Sequence, residues 1–271
     1  GAGSGRASHI DPAVRHAPDA HEGTALRRLV VDGREGAPGW RAAYERLRQR
    51  PAFTSGAGAG IATETAAAFD TWARAVLTDF DRLRVLCAVR EGPQGVMQAN
   101  AEIEQALVDA KLLPARRPEW YEGRPVMVTR NDPGLGVYNG DIGLALRPPG
   151  AADQPLRVYF LDTGASLRSV SGSRLADVET AFALTVHKSQ GSEFEHVLLL
   201  LPDEDVPVLT RELLYTAITR AKGAFTLAAA DLGGVARAVG RLTRRGSGLR
   251  GLLAEAPRPH RAAPHGPGGR P

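Results

Sequence analysis

The sequence predicts an α/β fold in which a parallel sheet flanked by helices carries a small inserted β-barrel. Two long apolar runs, residues 181–186 and 196–201, show no polar alternation along their length. Such runs are typical of strands buried on both faces, as in a parallel sheet. Several short strand-like runs are crowded between residues 121 and 176, and helical spacing flanks them. These observations predict one α/β sheet whose two chain segments are separated by a β-rich insert.

The first part of the chain is predicted to be helical around one short strand. Residues 1–60 are rich in Gly, Ala, Pro and charged side chains. Helices are predicted where apolar residues fall on one stripe, and a strand where a short apolar run is bounded by turn residues. The predicted elements are a helical patch at 40–50, a loop at 51–60, a helix at 61–83, a strand at 85–89 and a helix at 98–112.

The insert and the segment after it are predicted from turn residues and apolar runs. The Asn139-Gly140 pair favours a tight hairpin, and Thr210 is a plausible N-cap. Strands are expected at 125–129, 142–146, 157–161, 166–170, 181–186, 196–201 and 225–230, helices at 210–221 and 232–242, and a disordered tail at 246–271.

Composition excludes several classes of protein. The formal net charge of +4 and the sequence pI of about 9.6 favour a polyanionic partner. Cys87 is the only cysteine, so a disulfide within the chain is excluded, and no Cys/His cluster has zinc spacing. No apolar stretch approaches the roughly 20 residues that span a bilayer. We therefore expect a cytoplasmic protein without a membrane association, and the absence of an initial Met suggests a fragment.

The segment from Thr185 to Phe194 gathers polar residues between two predicted buried strands. Open α/β sheets place ligands at such an edge. Thr, His, Lys and Ser offer several donors to phosphate oxygens, Gly191 permits close backbone approach, and Glu193 could accept from a sugar hydroxyl. On local chemistry alone, a solvated polar turn explains these residues equally well.

The same segment resembles motif V of superfamily 1 DNA helicases, in the form found in the RecD branch. The residues that carry the resemblance are Thr185, His187, Lys188, Ser189, Gln190, Gly191, Glu193 and Phe194. A second stretch, residues 213–222, resembles motif VI of the same helicases and contains Arg220. On a helix, a planar guanidinium near a sheet edge suits an arginine finger. The alternative is a surface Arg paired with Glu212.

Two further stretches extend the resemblance to about residues 84–245. Residues 86–96 resemble the RecD segment that opens the second motor domain, and residues 120–143 resemble the start of an SH3-like insert. The resemblance implies a RecA-like second motor domain at 84–120 and 177–245, and an SH3-like β insert at 121–176. Residues 1–83 match poorly and are expected to be a helical or irregular N-terminal segment.

The resemblance implies a site shared by ATP and single-stranded DNA. Nucleotide contacts fall on Gln190, Gly191, Glu193 and Arg220, with Arg220 catalytic. DNA contacts fall on Thr185, His187, Lys188 and Ser189, which contact the DNA backbone or position the loop, and on Arg124 and Asn139 of the insert. In relatives the insert lies along the single strand. Arg130 and Tyr138 are further candidates there, although Tyr138 could equally pack within its hairpin. We expect the loop of His187 and the helix of Arg220 to converge at one rim of the sheet.

No residues of this sequence form the Gly-x-x-x-x-Gly-Lys-Ser/Thr loop that binds phosphate, so we expect the chain alone to be inactive. ATP with Mg²⁺ would be bound jointly with a first motor domain. The resemblance implies a subunit of exodeoxyribonuclease V, working with beta and gamma subunits in double-strand break repair and recombination. The alternatives are a stand-alone 5′-to-3′ helicase and a non-catalytic single-strand-binding module.

Overall fold

The computed structural model describes residues 14–21, 23–53, 59–150, 154–162, 164 and 166–241. The disordered tail predicted from residue 246 onward lies outside these described residues, as do residues 1–13.

The described part of the chain forms short strands and helices. The strands are β1 (Val14–His16), β2 (Gly33–Arg34), β3 (Ala37–Pro38), β4 (Leu83–Cys87), β5 (Pro125–Val128), β6 (Ile142–Leu146), β7 (Arg157–Leu161), β8 (Leu167–Ser171), β9 (Val178–Thr180), β10 (Ala183–Thr185), β11 (Phe194–Leu200) and β12 (Ala221–Ala228). The helices are α1 (Gly23–Asp32), α2 (Arg41–Arg48), α3 (Ala59–Asp81), α4 (Val96–Asp109), α5 (Arg211–Ile218) and α6 (Gly233–Gly240), with 3-10 turns at Pro18–His21, Gly172–Arg174 and Val186–Ser189. None of these helices is both long and apolar enough to cross a membrane.

Five strands form a parallel sheet in the order β1-β12-β11-β4-β10. Every residue of β4 is buried, and β11 is buried at every position except Glu195. The two faces of the sheet lie against separate apolar cores, one containing Leu198 and Leu200 and the other Val197 and Leu199. Burial on both faces removes the polar alternation, because either face would expose a polar side chain to an apolar core. The predicted parallel sheet flanked by helices is confirmed.

The described residues before 84 contribute to the same sheet and core. Strand β1 pairs in parallel with β12, although the sequence analysis assigned no strand to this segment. The Trp40 ring stacks on Phe80 with centroids 5.5 Å apart, and its Nε1 donates to the Phe80 carbonyl oxygen at 2.9 Å. Phe182 packs edge-on against Trp40. The helices α1, α2 and α3 therefore cover one face of the sheet.

The insert is a five-stranded antiparallel sheet in the order β8-β7-β6-β5-β9. It runs to Thr180, beyond the predicted end at residue 176, because the unpredicted strand β9 pairs with β5. The described pairings leave β8 and β9 at opposite edges, and closure into an SH3-like barrel stays a prediction. The insert packs on α3, where Phe69 lies 5.2 Å from Tyr159.

Candidate functional site

The segment from Val186 to Glu193 forms one loop that crosses the parallel sheet from end to end. Thr185 is level with Cys87, and Cys87 is level with Leu200 at the carboxyl end of β11. Phe194 begins β11 at its amino end. Since β11 rises about 3.3 Å per residue, the loop returns about 20 Å along the strand direction. The predicted DNA residues His187, Lys188 and Ser189 lie in the first half of this loop, and the predicted nucleotide residues Gln190, Gly191 and Glu193 in its second half.

The first half of this loop, at the carboxyl edge of the sheet, is a tight 3-10 turn (Val186–Ser189) that Ser189 holds closed. The Ser189 side chain is only 1% exposed, and its hydroxyl donates to the Val186 carbonyl oxygen at 2.7 Å. Of the two roles expected for Ser189, contact with the DNA backbone or positioning of the loop, the structure shows the positioning, because burial confines its hydroxyl to the turn. His187 and Lys188 on the same turn are exposed, whereas Thr185 is half-buried.

The second half of the loop, residues 190–193, leads to the amino edge of the sheet and presents an open backbone. Gln190, Gly191 and Glu193 are exposed. Gly191 has a φ of +88°, and nothing lies within 4 Å of the position that a Cβ atom would take. Glycine is required there for the backbone conformation, and the free space lets a ligand approach the main chain closely.

Arg220 lies against the second half of the loop. It sits in the turn between α5 and β12, one residue beyond the C-cap Thr219, because α5 ends at Ile218. Its Nη1 donates to the Ser192 carbonyl oxygen at 3.1 Å, and its own carbonyl oxygen accepts from the Phe194 amide at 2.8 Å. The expected helical placement of Arg220 is wrong, and its convergence with the loop occurs at the Ser192 end rather than at His187.

Among the described residues, the guanidinium of Arg220 has neutral oxygen atoms as its partners. Besides Ser192, its guanidinium donates to the Thr216 carbonyl oxygen and to the Thr219 hydroxyl, each at 3.3 Å. Among the ion pairs of the described residues none involves Arg220, so the alternative pairing with Glu212 is not seen there. A nearby cation, Lys222, lies on β12 and pairs with Glu193 at 3.5 Å, with both side chains more than half exposed.

The insert contacts the first half of the loop. Lys188 Nζ donates to Asn139 Oδ1 at 2.8 Å, and the Asn139 amide donates to Asn131 Oδ1 at 2.8 Å. Tyr138 beside them is 53% exposed, so it does not pack within its hairpin, and Arg130 is exposed as well. Two predicted DNA residues from distant parts of the sequence therefore meet at one point.

Arg124 is placed differently from the prediction. Its side chain is buried, its guanidinium lies 5.0 Å from the Trp120 ring, and it donates to the Glu119 carbonyl oxygen at 2.9 Å and the Thr180 hydroxyl at 3.2 Å. A guanidinium held this way joins the entry of the insert to its last strand. The structure gives Arg124 partners within the protein, and its contact with DNA stays a prediction.

Comparisons with known proteins bear on the same loop and turn. Residues 180–228 match the UvrD-like helicase C-terminal domain family. The RecBCD enzyme subunit RecD of Mycobacterium tuberculosis is 45% identical over 174 residues, which are 64% of this chain and 29% of that protein. The chain is homologous to the C-terminal portion of RecD.

The likeness to RecD extends to other helicases. The ATP-dependent RecD2 DNA helicase of Deinococcus radiodurans is 35% identical over 146 residues, covering 53% of this chain and 19% of that protein. A crystal structure of Pif1 helicase from Bacteroides with ADP-AlF3 and single-stranded DNA covers 80% of this chain and 54% of that chain, at 14% identity and a TM-score of 0.35. The chain spans about three tenths of the length of the RecD protein it matches.

The stretch that matches the helicase family contains both ends of the loop. Residues 180–228 begin at the last residue of β9 and end at the last residue of β12. The match to the UvrD-like helicase C-terminal domain thus coincides with the part of the fold that carries Thr185, Gly191 and Arg220.

Two buried polar residues behind the loop escaped the sequence analysis. Arg84 lies within the apolar strand β4 and is fully buried. His196 on β11 is also fully buried; its Nδ1 lies 2.8 Å from the Pro38 carbonyl oxygen and its Nε2 lies 2.9 Å from the Thr226 hydroxyl. Burial lowers the pKa of His196 to about 4, which outweighs the opposite effect of the Pro38 bond. A charged or titratable residue inside an otherwise apolar strand was the available signal.

Proposed function

We propose that this chain is the second, RecA-like motor domain of an ATP-dependent 5′-to-3′ DNA helicase, a subunit of a RecBCD-type exodeoxyribonuclease V. The observation that carries the proposal is the crossing loop, which lies against Arg220 at one end and against Asn139 at the other. A loop tied to both ends can transmit a change at a nucleotide to a change at DNA. Homology to RecD supports the same assignment.

The residues in the second half of the loop fit a nucleoside triphosphate. Arg220 and Lys222 supply positive charge, and the open backbone at Gly191 admits phosphate oxygens or a ribose. Gln190 and Glu193 are exposed. The amide of Gln190 can donate a hydrogen bond to the nucleotide or accept one from it, and the carboxylate of Glu193 can accept one. Within the described residues no cluster of three His, Cys, Asp or Glu side chains could hold a metal ion. Mg²⁺ would therefore be held by the triphosphate and by another motor domain.

Arg220 acts on the charge that develops on the transferred phosphoryl group. Its present partners are neutral oxygen atoms, so exchanging them for phosphate oxygens adds the attraction of a negative acceptor to each hydrogen bond. Because the guanidinium is planar and always charged, it can contact two oxygen atoms of one phosphoryl group. ATP bound between this domain and a first motor domain supplies the energy for translocation, and this chain by itself hydrolyses none.

The first half of the loop, at the carboxyl edge of the sheet, holds single-stranded DNA. Lys188 and His187 are exposed and offer donors to phosphate oxygens, and Asn139 extends the same surface onto the insert. Thr185 lies at the carboxyl edge of the sheet beside them. Tyr138 adds an exposed ring on which a base can stack.

The test of the nucleotide site is Arg220→Ala in the full-length protein, measured as DNA-stimulated ATP hydrolysis. Arg48→Ala, which removes an exposed guanidinium from the last turn of α2, is the matched control. An arginine finger contributes roughly 10³-fold or more to the rate, so Arg220→Ala should lower kcat by that factor. Turnover within a few-fold of the control would contradict the role of Arg220.

A second candidate function, a helicase that works without partner subunits, is favoured by the likeness to a protein named ATP-dependent RecD2 DNA helicase. Unwinding of a 5′-tailed duplex by the purified full-length protein alone would support it. Dependence of unwinding on the beta and gamma subunits would support the exodeoxyribonuclease V assignment. Salt-sensitive DNA binding without any ATP hydrolysis by the full-length protein would instead indicate a non-catalytic single-strand-binding module.

A further inference from the structure

Arg84 is a charged residue enclosed in the interior of the fold. Its side chain is 0% exposed, and its guanidinium lies between two aromatic rings, 5.0 Å from the centre of Phe80 and 4.9 Å from that of Phe194. Phe80 belongs to the last turn of α3, and Phe194 is the first residue of β11. The stacked guanidinium therefore joins the helical layer to the amino end of β11.

The hydrogen bonds of Arg84 reach a third part of the chain. Nη1 donates to the Ala181 carbonyl oxygen at 3.1 Å, and Nη2 donates to Asp81 Oδ1 at 2.8 Å. Ala181 lies where the insert returns to the parallel sheet, and its own amide donates to the Pro125 carbonyl oxygen. The buried Nε has no hydrogen-bond partner among the described residues.

Ala181 and Phe194 stand on either side of the chain segment that carries the proposed site. Between them lie β10 and the whole crossing loop, which contain the proposed contacts Thr185, His187, Lys188, Gln190, Gly191 and Glu193. Phe194 is also bonded through its amide to the Arg220 carbonyl oxygen at 2.8 Å. A single guanidinium thus contacts the residues on both sides of the segment formed by β10 and the crossing loop, and one of them, Phe194, is bonded directly to Arg220.

Packing alone gives no reason for an arginine at this position. A charge removed from water loses its hydration, and well-packed apolar residues in place of buried ion pairs are often neutral or stabilising. What a planar, forked guanidinium provides instead is direction, because it stacks on rings while donating in its own plane. A flexible apolar side chain of similar length fills the space without fixing the position of Ala181 relative to Phe194.

We propose that Arg84 is a positioning residue that sets the span of the crossing loop by holding Ala181 and Phe194 together. This inference rests on the proposed function for its consequence, since the loop carries the proposed nucleotide and DNA contacts. Its structural content, however, is independent of that function and is testable on the chain alone.

The experiment compares amide hydrogen exchange in Arg84→Met and Arg82→Met. Arg82 is two residues away on the same stretch and is 40% exposed, and its guanidinium binds Glu195 instead of the loop, which makes it a matched control. The amides followed are those of Ser192 and Phe194, which donate to Ser189 and Arg220, and that of Val197 inside β11. We expect Arg84→Met to speed exchange at Ser192 and Phe194 at least tenfold while leaving Val197 as protected as in the control.

Equal exchange at Ser192 in both variants would overturn the proposal, and so would an equal acceleration at Val197, since that would indicate general loosening. If Arg84→Met fails to fold, Arg84→Lys keeps the charge and the length but loses the fork, and the same pattern is expected from it. A variant that speeds loop exchange in a protein whose unaltered form binds no single-stranded DNA would leave the positioning role intact and contradict the proposed function.

Discussion

The Nζ atom of Lys188 lies 2.8 Å from Oδ1 of Asn139, 49 positions away in the sequence. Lys188 belongs to the crossing loop of the parallel sheet, and Asn139 to the hairpin between β5 and β6 of the insert. Tyr138, the residue before Asn139, and Arg130, the residue before Asn131, have exposed side chains. The contact between Lys188 and Asn139 defines a surface that neither the loop nor the insert forms alone.

Replacing Lys188 by Ala should weaken the binding of single-stranded DNA and flatten its dependence on salt. Each phosphate contact on a single strand contributes about 0.7 to the slope of log K against log salt, so the slope should fall by about that amount. Fluorescence anisotropy with an oligonucleotide at several salt concentrations measures it. The control is Lys111→Asn, which removes an exposed lysine at a φ of 59° that Asn tolerates. A slope unchanged from the control would remove Lys188 from the DNA surface.

Replacing Gly191 by Ala should affect nucleotide binding beyond its effect on stability. The variant is compared with Gly136→Ala in the insert, because both glycines have positive φ values, +88° and +67°, and open space around the added methyl group. Each change should lower the free energy of unfolding by about 1 kcal/mol, since Ala is strained at positive φ. Denaturant titration measures that term.

Only the Gly191 variant should weaken ATP binding by the full-length protein, by about tenfold or more, because its methyl group occupies the approach to the backbone. If the two glycine variants bind ATP equally well, the nucleotide does not lie against this part of the loop.

The stability of the fold should fall as the pH is lowered from about 6.5 to about 4, because of His196. In the folded chain burial lowers the pKa of His196 from 6.5 to about 4, so the unfolded chain takes up the proton first. Stability is therefore fully present above the unfolded value and is lost as the pH falls, by up to roughly 3 kcal/mol. Urea titrations across this range measure the slope.

The variant His196→Gln should lose this part of the pH dependence, whereas His187→Gln, which removes an exposed imidazole, should keep it. Carboxylates whose pKa values are lowered by partners other than His196, such as Asp205 bound to Arg241, contribute equally to all three proteins and cancel in the comparison. Parallel stability curves for the unaltered chain and His196→Gln would mean that His196 titrates normally in the folded state.

Much of the fold could be predicted because its signals are local. Apolar runs without alternation identified β11 and the region of β10, helical spacing identified α3 and α4, and Thr210 accepts from the Leu213 amide as an N-cap should. Short strands escaped because three residues carry too little pattern. Both β1 and β9 are defined by the strand that each one pairs with, β12 and β5, and not by their own sequence.

By itself the sequence determined which residues have site chemistry, since the run from Thr185 to Phe194 and Arg220 can be recognised without coordinates. Only the tertiary structure decided how those residues are used. Burial confined Ser189 and Arg124 to internal hydrogen bonds, and strand register placed Phe194, where the loop ends, about 20 Å from Thr185 along the sheet. The physical reason is that residue type fixes what a side chain can donate or accept, whereas burial and pairing between distant segments decide whether a ligand or another part of the chain is there to meet it.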